Sequence, residues 1–148
     1  MAVAVAPTPF QPSLLASGPM VEPADLAGAE RLDLGREAWV DLLPSWVPGA
    51  DDLFTALLAD APWRQRQIPM YGRLLDEPRL TAWWEAGDGL DDAPAALRRL
   101  LPLLDARYDH GFDCIGLNLY RDGEDSVAWH GDRSERDRPV TTVAVLSL

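Results

Sequence analysis

The stretch Cys114 to Arg121, CIGLNLYR, most constrains the fold. Ile115, Leu117 and Leu119 fall on one side of an extended chain, and Gly116, Asn118 and Tyr120 on the other. A period of two predicts a strand with one buried and one open face. Asp122-Gly123 then gives a turn signal within a short loop to Asp125. SVAWHGD resumes as extended chain, so the two segments predict a hairpin. Val127, Trp129 and Gly131 share one side of the second arm, and Ala128, His130 and Asp132 the other. After the charged loop RSERDR, PVTTVAVLSL reads as a β-branched strand buried on both faces.

The earlier chain mixes helix and strand. RLDLGREAWVDLLPSWV predicts one or two short strands and a turn at Pro44. GADDLFTALLADAPW predicts a helix capped by Asp51 or Asp52, with a stripe of Leu53, Phe54, Leu57 and Leu58, ended by Pro62. RQRQIPMYGRLLDEPRLTAWW reads as extended chain with turns at Pro69, Gly72 and Pro78. APAALRRLLPLLDARYDHG predicts a helix with Pro94 in its first turn, Gly111 after its end, and a kink or division imposed by Pro102. His110, in the last turn, reads as a C-terminal cap. Helices leading into strands give an α+β class, with one domain over residues 29–148. Residues 1–28 read as a mobile Pro/Ala-rich tail able to dock as a strand. They lack the basic start and continuous apolar core of a signal peptide.

Charge and cysteine content narrow the function. A net charge of −11 counts against a nucleic-acid partner unless a local basic patch or a missing segment supplies cations. Arg64, Arg66, Arg73 and Arg79 form the densest basic cluster, which reads equally as a solvated face. The single cysteine, Cys114, excludes an intramolecular disulfide, fits a reducing cytoplasmic setting, and reads as a small buried hydrophobe. No apolar stretch is long enough to span a membrane, so no membrane partner is expected.

His130-Gly131-Asp132 is the candidate for chemistry. With two histidines and 17 aspartates in 148 residues, composition alone produces a His-x-Asp in roughly one chain in five. The extended context adds weight, because positions i and i+2 project to one face and can converge on one ion. An imidazole and a carboxylate are two of the three ligands of the facial triad that holds non-haem Fe(II) with open positions. On the preceding arm, Asn118 and Tyr120 offer an amide and a phenol that can hold an acidic cosubstrate. Ordinary strand polarity explains those two residues taken alone.

The segments NLYRDGEDSVAWHGD, EPRLTAWW and PVTTVAVLSL, in this order and spacing, closely resemble the AlkB-type Fe(II)/2-oxoglutarate dioxygenases, the nucleic-acid dealkylases. The resemblance runs from about Pro62 to Leu148. It implies a double-stranded β-helix, or jelly roll, with N-terminal helices. It implies His130 and Asp132 as iron ligands, Asn118 and Tyr120 as 2-oxoglutarate contacts, and Trp83, Trp84 and Arg79 on the side of an alkylated nucleic acid. Trp83 and Trp84 read equally as plain core. The residue with general acid or base duty is not assigned. Three departures follow from the same comparison. Ser134 stands where the family usually has an acidic residue, no histidine follows His130, and the family's two later arginines have no counterpart. The chain is therefore expected to hold only part of a jelly roll, lacking its C-terminal strands, and to be inactive by itself. Two alternatives stand beside oxidative dealkylation: a non-catalytic remnant or binding module, and a family member acting on a protein or small molecule.

Overall fold

Proline punctuates the middle of the chain into short elements. The computed structural model describes residues 25–127 and 140–148. Strands β1 (Glu30–Gly35) and β2 (Ala38–Leu42) form an antiparallel hairpin, α1 spans Ala50–Asp60, and β3 (Gln67–Met70) pairs with β4 (Arg73–Asp76). β5 (Leu80–Glu85) leads through a 3-10 turn, Leu90–Asp92, to α2 (Ala95–Arg98) and α3 (Leu100–Tyr108). β6 (Cys114–Leu119) returns antiparallel to β5. The described residues are thus α+β, with small antiparallel sheets. The sequence reading placed β6 opposite residues 126–132. One edge of β6 pairs with β5; the expected second arm falls largely on residues 128–139, including His130 and Asp132, which lie outside the described residues.

The α1 stripe is present, with Leu53 and Leu57 buried and Phe54 and Leu58 half-buried. Its cap differs from expectation. Gly49, in the left-handed conformation at φ 71, takes the N-cap position, while Asp51 and Asp52 sit in the first turn, where a carboxylate favours the helix dipole. Ala61 leaves the helix in the extended conformation required before Pro62. The buried Trp63 indole then donates Nε1–H to the Leu57 and Leu58 carbonyls at 3.1 and 3.3 Å; Leu57 also accepts the Ala61 amide, while Leu58 would otherwise lose its donor to Pro62.

Pro102 divides the next helix, as anticipated. It has no N–H for the Arg98 carbonyl, so α2 stops at Arg98, and Pro102 falls in the first turn of α3, where no donor is needed. Asp109, left-handed at φ 48, closes α3, and the Asp105 carboxylate accepts the Gly111 and Phe112 amides at 3.0 and 2.7 Å. His110 stands one residue past that cap, its ring 5.1 Å from Phe112, and so is not the capping residue that the sequence suggested.

Two apolar clusters hold these elements. Leu26, Val47, Leu53, Leu57, Leu97, Leu100 and Leu104 form one. Ala61, Trp63, Leu80, Ala82, Trp84, Ala93 and Leu119 form the other. Ile115 and Leu117 pack against both, so the inner face of β6 joins them. Each fully buried leucine contributes on the order of 1.5–3 kcal/mol. The N-terminal hairpin is tied to α3 by charge. Asp41 accepts Arg31 Nε and Nη2 at 2.7 and 2.8 Å and the Tyr108 hydroxyl at 3.1 Å, while Trp39 stacks on Tyr108. The Arg31 guanidinium beside Asp41 holds its carboxyl below the usual range.

Three further expectations are corrected. Pro69 lies inside β3 opposite Leu74, and the turn is Tyr71-Gly72, with φ values of 55° and 77°. This two-residue turn needs left-handed backbone at both positions. Cys114 is exposed, because strand alternation puts it in phase with Gly116 and Asn118 rather than with Ile115. Residues 140–148 form no strand, and Val140, Val143 and Val145 are exposed, although Leu146 packs on the first cluster. Among the described residues no strand pairs with this segment, and β-branched propensity without a ladder partner does not make a strand.

Candidate functional site

The β5–β6 pair separates core from chemistry residue by residue. Along β5, Leu80, Ala82 and Trp84 are buried, while Thr81, Trp83 and Glu85 face outward. Along β6, Ile115, Leu117 and Leu119 turn inward, and Gly116 and Asn118 are exposed. The register sets Thr81 opposite Asn118 and Trp83 opposite Gly116. Directly opposed residues share a face, so Trp83 and Asn118 occupy one open surface. Tyr120, next in the same phase, is 45% exposed. Among the described residues, the Asn118 and Tyr120 side chains have no hydrogen-bond partner.

Trp83 and Trp84 therefore part company. Trp84 is 7% exposed and belongs to the core, whereas Trp83 is 60% exposed on the open face. The Trp83 indole lies on Gly116. A Cβ added there would fall 2.4 Å from Cζ3 and 2.6 Å from Cε3 of the ring. The indole Nε1–H donates to Glu85 Oε2 at 3.0 Å, which fixes its second edge. Gly116 and Glu85 escaped the sequence reading. A glycine inside an otherwise alternating strand was the available signal, since it marks close approach by another group.

Arg79 precedes β5 and is half-buried, with Nη2 3.4 Å from Glu77 Oε1. Glu77 is 8% exposed. Its Oε2 and the Arg79 Nε are buried without hydrogen-bond partners among the described residues. Such atoms are costly to leave unpaired, so this corner of the face is polar and unsatisfied. Arg64, Arg66 and Arg73 are exposed on the chain that runs beside Glu77 and Thr81 and on the β3–β4 hairpin.

The loop after Tyr120 is closed by charge. Arg121 donates from Nε and Nη2 to the two Asp125 oxygens at 2.7 and 2.8 Å, and its backbone N–H donates to Asp125 Oδ2 at 2.9 Å. That guanidinium holds the Asp125 carboxyl down at about 2. Ser126 N–H donates to the Pro78 carbonyl at 2.8 Å, joining the loop to the start of β5.

His130 and Asp132 fall within residues 128–139, so the metal motif lies outside the described residues. Among the described residues, no group of three or more His, Cys, Asp or Glu side chains is arranged to hold a metal ion. A cleft of about 730 Å³ opens beside β6, lined by Trp39, Tyr108, Ile115, Gly116, Leu117 and Leu146 among others. It is mostly apolar, and none of Arg79, Trp83, Asn118 or Tyr120 lines it. Among the described residues, no helix is long and apolar enough to cross a membrane.

No family model matches the chain. It is similar to curated proteins named "Alpha-ketoglutarate-dependent dioxygenase alkB homolog 3". The Mus musculus protein is 32% identical over 126 residues, covering 74% of this chain and 42% of that protein. The Bos taurus protein is 33% identical over 104 residues, 63% of this chain and 36% of that protein. The Homo sapiens protein is 33% identical over 95 residues, 58% of this chain and 33% of that protein. The chain spans less than half the length of these relatives. This similarity supports an AlkB-like 2-oxoglutarate-dependent dioxygenase.

Proposed function

We propose that the protein oxidatively dealkylates alkylated bases in DNA or RNA, using Fe(II), O2 and 2-oxoglutarate, on a jelly-roll scaffold in the cytoplasm. The observation that carries this reading is the open β5–β6 face, which sets Trp83 and Asn118 side by side with Tyr120 in phase. The residue types fit the groups they would hold. Asn118 and Tyr120 provide an amide and a hydroxyl that can hydrogen-bond to the 2-oxoglutarate carboxylates. His130 and Asp132 are donors of the kinds that hold Fe(II). When bound, iron and 2-oxoglutarate supply the oxygen activation that oxidises the alkyl carbon on the base.

The rest of the face deals with substrate. A base must leave its stack to be reached, and the exposed Trp83 indole offers a surface against which an extruded base can lie. Arg64, Arg66 and Arg73 are exposed cations on the same stretch of chain and can meet phosphates, since binding depends on local rather than total charge. Arg79, with its unpaired Nε, sits where this stretch enters β5.

The test is formaldehyde release from N-methylated single-stranded DNA and RNA, with the full-length protein, Fe(II), ascorbate and 2-oxoglutarate. Release that depends on iron and falls steeply with salt supports the reading. Turnover of 2-oxoglutarate with no formaldehyde from any methylated strand overturns the substrate class. A second reading, a protein or small-molecule substrate, is favoured by the net charge of −11 and would then take its place.

A further inference from the structure

We propose that Arg121 and Asp125 form a positioning clamp that sets the cosubstrate contacts at the end of β6 in fixed relation to Arg79 at the start of β5. The inference rests on the functional reading above. Three short hydrogen bonds converge on one carboxylate, two from the guanidinium fork and one from the Arg121 backbone. Charge-assisted bidentate pairs are the strong, directional kind. Inside this ring, Asp122 Oδ1 accepts the Glu124 and Asp125 amides at 2.9 and 3.3 Å, so the turn is stapled at both levels.

The clamp joins two places. Its first residue follows Tyr120 directly. Its last residue precedes Ser126, whose amide is bonded to the Pro78 carbonyl next to Arg79. A loop containing Asp122-Gly123 would otherwise be soft, because glycine leaves the backbone its widest freedom. Binding geometry, by contrast, tolerates only about 0.5 Å of error.

A role confined to global stability fits poorly. Neither apolar cluster includes a residue from 121 to 127. Asp125 is nonetheless the well-shielded partner, its side chain 6% exposed against 33% for Arg121. A surface pair with no consequence for placement is normally mobile and hydrated on both sides. With its carboxyl held at about 2, the pair stays charged throughout the neutral range. The clamp is therefore a fixed part of the loop near neutral pH and not a pH switch.

The test compares wild type, Asp125→Asn, Arg121→Lys and Asp125→Glu under anaerobic conditions with Fe(II). The half-saturating 2-oxoglutarate concentration is read from the visible charge-transfer absorption of an Fe(II)–2-oxo-acid chelate. The melting temperature and the amide exchange of Arg121 and Ser126 are measured in parallel. Asp125→Asn is expected to raise the half-saturating concentration about 10-fold and to speed exchange at both amides at least 10-fold, with the melting temperature within about 2 °C of wild type. Arg121→Lys, which keeps charge but loses the fork, is expected to give about a 3-fold rise, and Asp125→Glu to recover part of the Asp125→Asn loss. Half-saturation within 2-fold of wild type in both Asp125→Asn and Arg121→Lys overturns the clamp. So does a loss of affinity that comes with an equal loss of melting temperature, which makes the pair merely structural. A wild-type protein that binds Fe(II) but shows no absorption with 2-oxoglutarate overturns the functional reading itself.

Discussion

Replacing Gly116 by alanine puts a methyl group where the Trp83 ring lies. The new carbon would be 2.4 and 2.6 Å from two ring carbons, against about 3.5–4.0 Å for relaxed carbon contact. The strand backbone is held by pairing to β5, so the ring moves, and it has open space to move into because Trp83 is 60% exposed. What is lost is the covered part of the indole. A fully buried tryptophan hides about 150–250 Å², so the covered two-fifths is roughly 60–100 Å². At about 25 cal/mol per Å² this is ~1.5–2.5 kcal/mol, an upper bound. Gly116 does not occupy the left-handed region, so alanine recovers about 0.4–1 kcal/mol by restricting the unfolded chain. The net expectation is a destabilisation of about 0.5–2 kcal/mol. The assay is urea unfolding of Gly116→Ala, Trp83→Ala and the double variant. Once the ring is gone, Gly116→Ala should be neutral or slightly stabilising, which gives a coupling of about 1–2 kcal/mol between the sites. Additivity within about 0.3 kcal/mol would refute the seating of Trp83 on Gly116. If Trp83 also serves the substrate, Gly116→Ala should weaken binding of a methylated strand while leaving 2-oxoglutarate binding unchanged.

Other expectations follow from the packing. Trp63→Phe removes the donor to the Leu57 and Leu58 carbonyls in a buried setting and should cost about 1–3 kcal/mol in chemical unfolding; an unchanged midpoint would show that these carbonyls find water. Asp41→Asn should lower the melting temperature, and adding Arg31→Gln should lower it little further, because both changes break the same contact. Asp41 also sets an acid limit. Its carboxyl is depressed in the fold, so the stability it contributes is present above the ordinary value of 3.8 and is lost as pH falls below that value, through its lowered pKa. Asp41→Asn should therefore flatten the melting-temperature profile on the acid side, and an equally steep fall in the variant would place the acid sensitivity elsewhere.

Local pattern was readable where one element decides its own structure. The alternation of Cys114–Leu119 correctly separated Ile115, Leu117 and Leu119 from Gly116 and Asn118. The α1 stripe and the division at Pro102 were legible for the same reason: spacing and a missing N–H act within a few residues. The pairing of β6 was not legible. LTAWWE sets Leu80, Ala82 and Trp84 against Thr81, Trp83 and Glu85, so the outward phase of Trp83 is readable from its polar neighbours, whereas its seat on Gly116 needs the opposing strand. Residues 140–148 misled in the opposite direction. Their β-branched run describes what a strand would need, but a strand exists only with a ladder partner, and among the described residues none pairs with it. The His130-x-Asp132 motif was found from chemistry, and its geometry lies outside the described residues.

Neighbouring residues on β6 should fail in opposite ways. Leu119 is 6% exposed in the cluster with Leu80, Trp63 and Trp84, and Leu80 lies directly opposite it. Leu119→Ala removes buried methyl groups and leaves a cavity, at a cost of about 2–5 kcal/mol. Asn118, one residue earlier, points to the open face, where its side chain has no partner among the described residues. Asn118→Ala should change stability by less than about 0.5 kcal/mol, in the range of ordinary surface substitutions. If Asn118 holds 2-oxoglutarate, losing that hydrogen bond weakens cosubstrate binding by about 1.5–3 kcal/mol, roughly 10- to 150-fold, because the partner is charged. Leu119→Ala should leave cosubstrate affinity near wild type in whatever fraction remains folded. The pair is read by chemical unfolding and by anaerobic 2-oxoglutarate titration on the same preparations. Asn118→Ala with unaltered cosubstrate affinity would remove Asn118 from the site. A large stability loss in Asn118→Ala would mean that the open face is covered and that β6 does not present one core face and one free face.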